Sequence, residues 1–341
     1  MAVPGIAASL FPVPKARIVP TTPAKPPTPH CLPLHRNHCH SPDILQWGSR
    51  SVLRRTALRL ALAALAVPAL ALAACGGDDD GAAGDAAADL VTANVSCKDL
   101  NVAAPARIKS AGKFVVASDL SYAPMEFVKP GSNEAIGADI DFARCIAEAW
   151  GVTLEVQNTS FDAIIPALTS KKVDVIMSSM SVTDERKQQV DFVEYLVAGS
   201  GILVKKGNPK NIKSLADLCG KKVAIQVGTV QIDEAEEQNT RCAQKIQVTT
   251  FEQNTDTITA VSSGRADAAL MDYPVAAYGA RQVKSTEVVG EQYNTGPYGI
   301  AIRKDDTEVR TAIQAALAAM KEKGKYEAIL KYWGLEAGAL K

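Results

Sequence analysis

Histidine is scarce in this chain of 341 residues. Only four histidines are present, and all of them lie between positions 30 and 40. Histidine is the side chain most often used as a general base or metal ligand near neutral pH. Residues 41–341 therefore offer no histidine for either role. Segment 30–40 also holds two cysteines, so metal binding is one interpretation of it, but its spacing matches no standard zinc motif. We expect no metal site and no other cofactor.

Positive charge is scarce in the larger part of the chain. Residues 1–75 contain eight Lys and Arg and a single acid, Asp43, whereas residues 76–341 contain 29 Lys and Arg against 36 Asp and Glu. The formal net charge of zero thus conceals a net charge of −7 on residues 76–341. A domain this acidic is a poor nucleic-acid binder, so we expect no nucleic-acid partner.

The uncharged stretch Leu60–Ala74 is too short for a membrane-spanning helix, which needs about 20 residues, and matches the apolar region of a signal peptide. It ends at Leu72-Ala73-Ala74-Cys75, which resembles a bacterial lipobox. We predict a lipoprotein signal peptide over 52–75 with Cys75 lipidated. The protein would be exported and membrane-anchored, in the periplasm or at the cell surface. Arg54-Arg55 leaves a twin-arginine signal as the alternative to Sec export.

The residues on either side of that signal peptide are predicted to be unstructured. Residues 1–51 are rich in proline and lack periodicity, which indicates an over-extended, disordered start. Val52 would be the initiator if its codon is GTG. Residues 76–112, which begin with a flexible acidic stretch, are predicted to be a linker.

Polar side chains follow the buried strand predicted over Val173–Met177. Three serines come directly after it, and Thr183 is placed to cap a helix that carries Arg186. Ligands of open α/β sheets bind at the carboxyl ends of strands. The pattern alone favours a helix cap and a solvated arginine over a binding site.

Two parts of the chain repeat one pattern. Segment 167–177 is echoed by 260–270, and 112–116 by 220–224, each copy being part of a βαβ unit. This predicts two similar lobes, 113–197 plus 296–341 and 198–295, with two extended crossings between them that form a hinge. The symmetry places Asp272 across a cleft from the serines.

Residues 113–334 resemble the family 3 extracellular solute-binding proteins, the polar amino-acid receptors of ABC importers. The resemblance is carried by S-x-S-x-T-x-x-R at 179–186, by D-x-x-Y-x-P-M-E at 119–126, where relatives have Phe for Met125, and by G-T-V-Q at 228–231, where relatives have Thr for Val230. It implies an α/β fold of the two-lobed periplasmic-binding-protein type (type II), with a two-strand hinge.

The resemblance also implies how a ligand is held. Arg186 and the backbone amides of Thr229 and Val230 would take the α-carboxylate, while Asp272, Ser181 and the Ser179 carbonyl would take the ammonium. An unpaired Asp119 near the side-chain tip favours arginine, lysine, ornithine or histidine, with glutamine next. The whole predicted set is Asp119, Tyr122, Phe161, Ser178, Ser179, Ser181, Arg186, Gln226, Thr229, Val230 and Asp272.

The implied function is delivery of a polar, preferably cationic, amino acid to a permease by a monomer that is not an enzyme. One alternative is an enzyme that resembles cyclohexadienyl dehydratase, with Asp119, Glu126 or Asp272 as the general acid. Glu126 is otherwise interpreted as structural. A sensor or adhesin lipoprotein is the other alternative.

Four cysteines remain in the exported part, and an even number suggests disulfides. Cys219 precedes one predicted strand, and Cys242 ends the following helix just before another, which predicts a Cys219–Cys242 bond. Cys97 would then pair with Cys145 by elimination. Cys145 could equally be a small buried hydrophobic residue on the helix predicted over 139–150.

Overall fold

The computed structural model describes residues 92–340, which fall within one compact unit of the chain. The predicted disordered start, the signal peptide, the histidine-containing segment and Cys75 lie outside the described residues. Within residues 92–340, no helix is both long and apolar enough to cross a bilayer.

The first lobe is built on strands that run parallel to one another. β1 lies between β5 and β6, and its residues after Lys113 are buried, as in a strand covered by helices on both faces. A small antiparallel sheet, β2-β3-β4, sits beside them. The elements are α1 (Ala106–Ala111), β1 (Lys113–Ser118), β2 (Ser121–Tyr122), β3 (Glu126–Val128), β4 (Ala135–Ile136), α2 (Ala138–Trp150), β5 (Thr153–Asn158), α3 (Ile164–Thr169), β6 (Val175–Ile176) and α4 (Asp184–Gln189).

The second lobe repeats this arrangement, as predicted. β8 lies between β9 and β10 and pairs in parallel with both. As in the first lobe, a helix, a turn and a strand follow in that order, and the strand ends at the cleft between the lobes. Its elements are β8 (Lys222–Gln226), α5 (Val230–Arg241), β9 (Gln247–Phe251), α6 (Asn254–Ser262), β10 (Ala268–Asp272) and α7 (Tyr273–Gln282).

Two long antiparallel strands, β7 (Val190–Lys205) and β11 (Thr286–Arg303), belong to both lobes. At one end β11 pairs with β6, and at the other β7 pairs with β10, which gives a continuous sheet of order β5-β1-β6-β11-β7-β10-β8-β9. The register of the pair is interrupted around Tyr293 and Gly296, next to the predicted lobe boundary at 295/296. The predicted two-lobed α/β architecture with a two-strand connection is confirmed.

Two helices return the chain to the first lobe after β11. These are α8 (Thr307–Glu322) and α9 (Lys325–Trp333), and their buried faces pack on α2 and β7. The Tyr326 hydroxyl donates a hydrogen bond of 2.7 Å to the Tyr195 carbonyl of β7. The end of the chain thereby supports one of the two strands that connect the lobes.

The predicted linker over 76–112 is wrong for the part that the structure describes. Cys97 and Leu100 are buried in the first lobe, and Ala106–Ala111 forms α1, whose Ile108 is buried as well. A Cys97–Cys145 disulfide, with Cα atoms 5.0 Å apart, fixes this segment to α2. Composition suggested a linker, but covalent attachment and burial order it.

Both disulfides are present, which confirms the Cys219–Cys242 prediction and, of the two alternatives for Cys145, selects the bond to Cys97. The Cα atoms of Cys219 and Cys242 lie 5.4 Å apart, where α5 ends beside the start of β8. Each bond lies within one lobe, so neither restrains the cleft.

Replacing Cys219 and Cys242 together by alanine is expected to lower the free energy of unfolding by about 3 to 4 kcal/mol, because the bond closes a loop in the unfolded chain. Urea unfolding of the variant and the native protein measures the loss. Peptide mapping without reductant provides the control, and two free thiols at these positions would refute the assignment.

Candidate functional site

All eleven predicted ligand-binding residues line one cavity between the lobes. Glu126 and Gln231 line it as well. Its first-lobe wall comes from the ends of β1 and β6 and the start of α4. Its second-lobe wall comes from the ends of β8 and β10 and the start of α5. The repeat and the sheet therefore bring the predicted residues together, while their role in binding a ligand stays a prediction.

Arg186 lines the cavity from the first turn of α4. The hydroxyl of Thr183 accepts a hydrogen bond of 3.2 Å from the Arg186 backbone N–H, which confirms the predicted helix cap. The guanidinium donates to the carbonyls of Ser181, at 2.8 Å, and Gly228, at 3.0 Å. Burial lowers the pKa of Arg186, but a guanidinium remains charged in proteins. With five N–H donors, it can also take a carboxylate in the cavity.

The ring of Phe161 lies against this guanidinium, with the charged carbon 5.3 Å from the ring centroid. Phe161 belongs to the predicted ligand-binding set, and it lines the cavity. The structure adds a contact that the sequence did not indicate, because an aromatic face attracts and orients a cation. Phe161 therefore also holds the predicted carboxylate-binding group.

The start of α5 faces Arg186. Gly228 has a φ of +78°, and a Cβ added there would lie 3.1 Å from the Asp162 Cα of the other lobe, so glycine permits both the turn and the close approach. The Thr229 hydroxyl donates to the Gln226 carbonyl at 2.8 Å, and no side chain caps α5. An uncapped helix start with exposed N–H groups favours an anion.

Asp272 lines the same cavity from the second lobe, where β10 ends. Its carboxylate accepts a hydrogen bond of 2.8 Å from Gln231 Nε2 and is only 6% exposed. Burial raises the pKa of Asp272, while the nearby hydroxyls of Tyr298 and Tyr122, the hydrogen bond from Gln231 and the charge of Arg186 oppose the rise. A buried carboxylate with these neutral partners is suited to receive an ammonium group.

A buried pair of acids, Glu126 and Asp139, holds the turn that follows β6. The Ser178 and Ser179 hydroxyls donate to Glu126 at 3.0 and 3.2 Å, and the Ser179 backbone N–H donates to Asp139 at 2.8 Å. Ser179 has a φ of +47°, a conformation that a residue other than glycine rarely adopts. The acids therefore fix the predicted ammonium-binding turn, and Glu126, interpreted as structural, is part of the cavity wall as well.

Burial raises the pKa of Glu126 well above its usual range, and the neighbouring Asp139 carboxylate adds to the effect. Burial also raises the pKa of Asp139 from 3.8 to about 6, against hydrogen bonds from Tyr195 and Ser179. The stability that Asp139 contributes in its protonated form is therefore complete below its ordinary pKa of 3.8 and is lost as the pH rises through about 6.

Asp139→Asn is expected to remove this pH-dependent loss of folding stability. The native protein should lose stability between about pH 4 and pH 7, and the variant should lose less, because an amide does not ionise. Urea unfolding at several pH values measures the difference, and Asp256→Asn, at an exposed position of α6, is the matched control. Equal pH dependence in the native protein and Asp139→Asn would show that Asp139 does not titrate in this range.

Asp119 was expected to be unpaired, and this premise is wrong. Its carboxylate accepts hydrogen bonds from Gln226 Nε2 at 2.8 Å and from the backbone N–H groups of Phe161 and Ser121 at 3.0 and 3.2 Å. Burial raises the pKa of Asp119, and these hydrogen bonds oppose the rise. All three donors are neutral, so the carboxylate has hydrogen-bond partners but no cation paired with it.

Sequence reasoning missed Gln231 as a site residue. It lies in the first turn of α5, is 1% exposed, and donates to Asp272 and, at 3.0 Å, to Ser200 Oγ. Its place in the G-T-V-Q segment was the available signal. The pattern showed a helix start there but not which way the glutamine side chain is directed.

Comparison with known proteins adds a family match. The family model of the bacterial extracellular solute-binding proteins, family 3, matches residues 114–336. The L-cystine-binding protein of Escherichia coli is 31% identical over 229 residues, which make up 67% of this chain and 84% of that protein.

Two solved structures are similar over the same region. An ancestral arginine-binding protein bound to arginine is 38% identical, with a TM-score of 0.62, and the match covers 65% of this chain and 98% of that one. An ancestral amino acid-binding protein, described as a precursor of cyclohexadienyl dehydratase, is 40% identical with a TM-score of 0.62, over 67% of this chain and 97% of that one.

Proposed function

This chain belongs to the bacterial extracellular solute-binding proteins, family 3, and from that premise we propose that it captures a polar L-amino acid between its lobes and delivers it to the permease of an ABC importer. The predicted family and the predicted type II periplasmic-binding-protein fold are both confirmed. The relatives described above bind cystine or arginine, which agrees with an amino-acid ligand here.

One observation carries the proposal: the cation Arg186 of the first lobe and the anion Asp272 of the second lobe line the same cavity. A zwitterion removed from water needs both of its charges paired. Arg186 and the start of α5 would pair with the α-carboxylate, and Asp272 with the ammonium.

We further propose that the ligand carries a cationic side chain. Among the described cavity-lining residues, Asp119, Asp272 and Arg186 would carry charge, whereas the raised pKa of Glu126 favours its neutral carboxyl form. A ligand whose net charge is positive compensates the excess of acids better than a neutral ligand does. Because Asp119 already accepts three neutral hydrogen bonds, the argument rests on its charge and not on a missing partner. Glutamine is the next candidate, since Gln226 Oε1 can accept a hydrogen bond from its amide while Gln226 Nε2 donates to Asp119 and to the Glu252 carbonyl.

A thermal-shift screen against the twenty amino acids and ornithine tests this function. A ligand at 100 times its dissociation constant should stabilise the protein by about 2.7 kcal/mol. Arginine, lysine, ornithine or histidine should give the largest shifts. If glutamate binds more tightly than arginine and glutamine, the assignment of Asp119 to the specificity pocket is wrong, and if no amino acid shifts the melting point, the proposed function is wrong.

An enzyme on this fold is the second candidate, since the Glu126 carboxyl lines the cavity and burial raises its pKa, as a general acid requires. One similar ancestral protein is described as a precursor of a dehydratase. We favour binding without turnover because Glu126 is engaged by two serine hydroxyls and Asp272 is better used on an ammonium. Incubation with prephenate and with arogenate decides, since release of a product would establish the enzyme.

We propose that the protein is exported and acts as a monomer anchored through a lipid on Cys75. The supporting observations are the lipobox-like sequence and the family, whose members are extracellular. Mass spectrometry of the protein extracted from membranes tests the modification, and an N-terminus other than an acylated Cys75 would overturn it.

A further inference from the structure

Hydrogen bonds between protein groups cross the cleft. Three of them reach the segment Asp119–Tyr122 of the first lobe: from Gln226 to Asp119 at 2.8 Å, from the Asn254 N–H to Ser121 Oγ at 3.0 Å, and from the Asp272 N–H to Tyr122 Oη at 3.0 Å. This segment therefore fastens the two lobes together in the closed arrangement.

Ser121 differs from Asp119 and Tyr122 because it does not line the cavity. Asp119, Tyr122, Gln226 and Asp272 are cavity-lining residues, so changing any of them alters ligand contacts as well as closure. Ser121 is 7% exposed and Asn254 1%, yet neither lines the cavity. The Ser121–Asn254 hydrogen bond thus joins the lobes without touching the space that a ligand would fill.

The bond also caps a helix from the opposite lobe. Asn254 is the first residue of α6, and the preceding Gln253 provides no side-chain cap. The first N–H groups of a helix need acceptors from outside the helix. Ser121 Oγ supplies one across the cleft, and this acceptor is lost when the lobes separate. Closure therefore provides a protein acceptor for the first N–H group of α6, which in the open arrangement would bond to water instead.

Ser121 is linked to the cavity through Asp119, and its hydroxyl is one of the hydrogen-bonding groups that oppose the rise in the pKa of that carboxylate. Its N–H donates to Asp119, and the same carboxylate accepts from Gln226 of the second lobe. The side chain of Asn254 is held too, since Thr257 donates to both its carbonyl, at 2.7 Å, and its Oδ1, at 3.3 Å. Both partners of the interlobe bond are thus fixed in place by their own lobes.

We propose that Ser121 is a positioning residue for ligand capture: its hydroxyl caps α6 across the cleft, favours the closed arrangement, and raises the affinity for every ligand equally. The inference rests on the proposed function. The apparent dissociation constant of a ligand is its intrinsic value divided by the fraction of protein that is competent to bind. A residue that acts only on closure therefore changes the affinity but not the ratio between ligands.

Ser121→Ala is expected to weaken the binding of L-arginine and L-glutamine by one common factor, about 2- to 10-fold, the worth of one hydrogen bond. Ser121→Thr, which keeps the hydroxyl, should restore the affinity. Ser132→Ala, at an exposed loop position of the same lobe, is the matched control. Isothermal titration supplies the affinities. An unchanged affinity, or a loss that differs between the two ligands, would overturn the proposal.

A second variant removes the donor instead of the acceptor. Asn254→Pro deletes the N–H at a helix position that tolerates proline, and Asn254→Ala, which keeps the N–H, corrects for the lost side chain. Adding Ser121→Ala to Asn254→Pro should cause no further loss of affinity, because both remove the same bond. Additive losses would show that Ser121 acts through another contact.

The separation of the lobes, measured by energy transfer between a dye on each lobe of the ligand-free protein, distinguishes the two proposals. Ser121→Ala should shift this distance towards the open arrangement whether or not any amino acid binds. If the native protein binds no amino acid, the proposed function fails, but the measured distance still decides whether the Ser121–Asn254 hydrogen bond favours closure. An identical distance distribution in the native protein and Ser121→Ala would refute the positioning role of Ser121.

Discussion

Arg186→Ala is expected to weaken amino-acid binding by about 30-fold to several thousand-fold, a loss of about 2 to 5 kcal/mol. The α-carboxylate of the ligand would then be buried without its cation, next to acids that repel it. Three further contacts are lost with the same side chain: the hydrogen bonds to the Ser181 and Gly228 carbonyls and the stacking on Phe161.

Isothermal titration measures this loss, with Arg241→Ala, at an exposed position near the end of α5, as the matched control. Arg186→Lys separates charge from geometry. It keeps a cation but loses the planar fork that meets a carboxylate with two hydrogen bonds, so its affinity should fall between those of the native protein and Arg186→Ala. Near-native affinity in Arg186→Ala would remove the residue from the site.

Asp272→Asn is expected to cost a similar amount of affinity, about 2 to 5 kcal/mol, while making the ligand-free protein more stable. An amide can still accept the hydrogen bond from Gln231, so the geometry is kept and the charge that would face the ammonium is lost. Because burial raises the pKa of Asp272, the folded protein carries a penalty for its ionised form at neutral pH, and the amide removes that penalty.

Isothermal titration of Asp272→Asn at neutral pH measures its affinity for the ligand, and urea unfolding measures the stability of the ligand-free protein. Asp256→Asn, an exposed change on the same lobe, should alter neither of them. A lower affinity together with a higher stability is informative, because a variant that merely folds badly loses both. Tight binding by Asp272→Asn, or tight binding of a ligand without its α-amino group by the native protein, would contradict the assigned role.

Several features of the fold and site followed directly from the sequence. The echo between segments 167–177 and 260–270 located Asp272, because equal patterns fold into equal units whose strands end at one cleft. Thr183 was predicted as a cap, and capping depends on residues within one helical turn. The Cys219–Cys242 bond followed for a similar reason, since one strand and one helix separate the two residues.

Other features depend on contacts between distant parts of the chain. Asp119 has partners because Gln226, 107 residues away, reaches it across the cleft, and no local pattern reveals such a donor. The segment before α1 reads as a linker until Cys97 bonds to Cys145. Glu126 lies in a motif, but its pairing with Asp139 depends on how β3 packs on α2.

The central claim is that the cavity clamps both charges of an L-amino acid at once. Isothermal titration of the purified protein with L-arginine and L-glutamine, each alongside its des-amino analogue and its methyl ester, tests it most directly. We predict one-to-one binding of at least one of the two amino acids, with both analogues at least about 30-fold weaker. No binding of either amino acid, or an analogue that binds as tightly as its parent, would contradict the account.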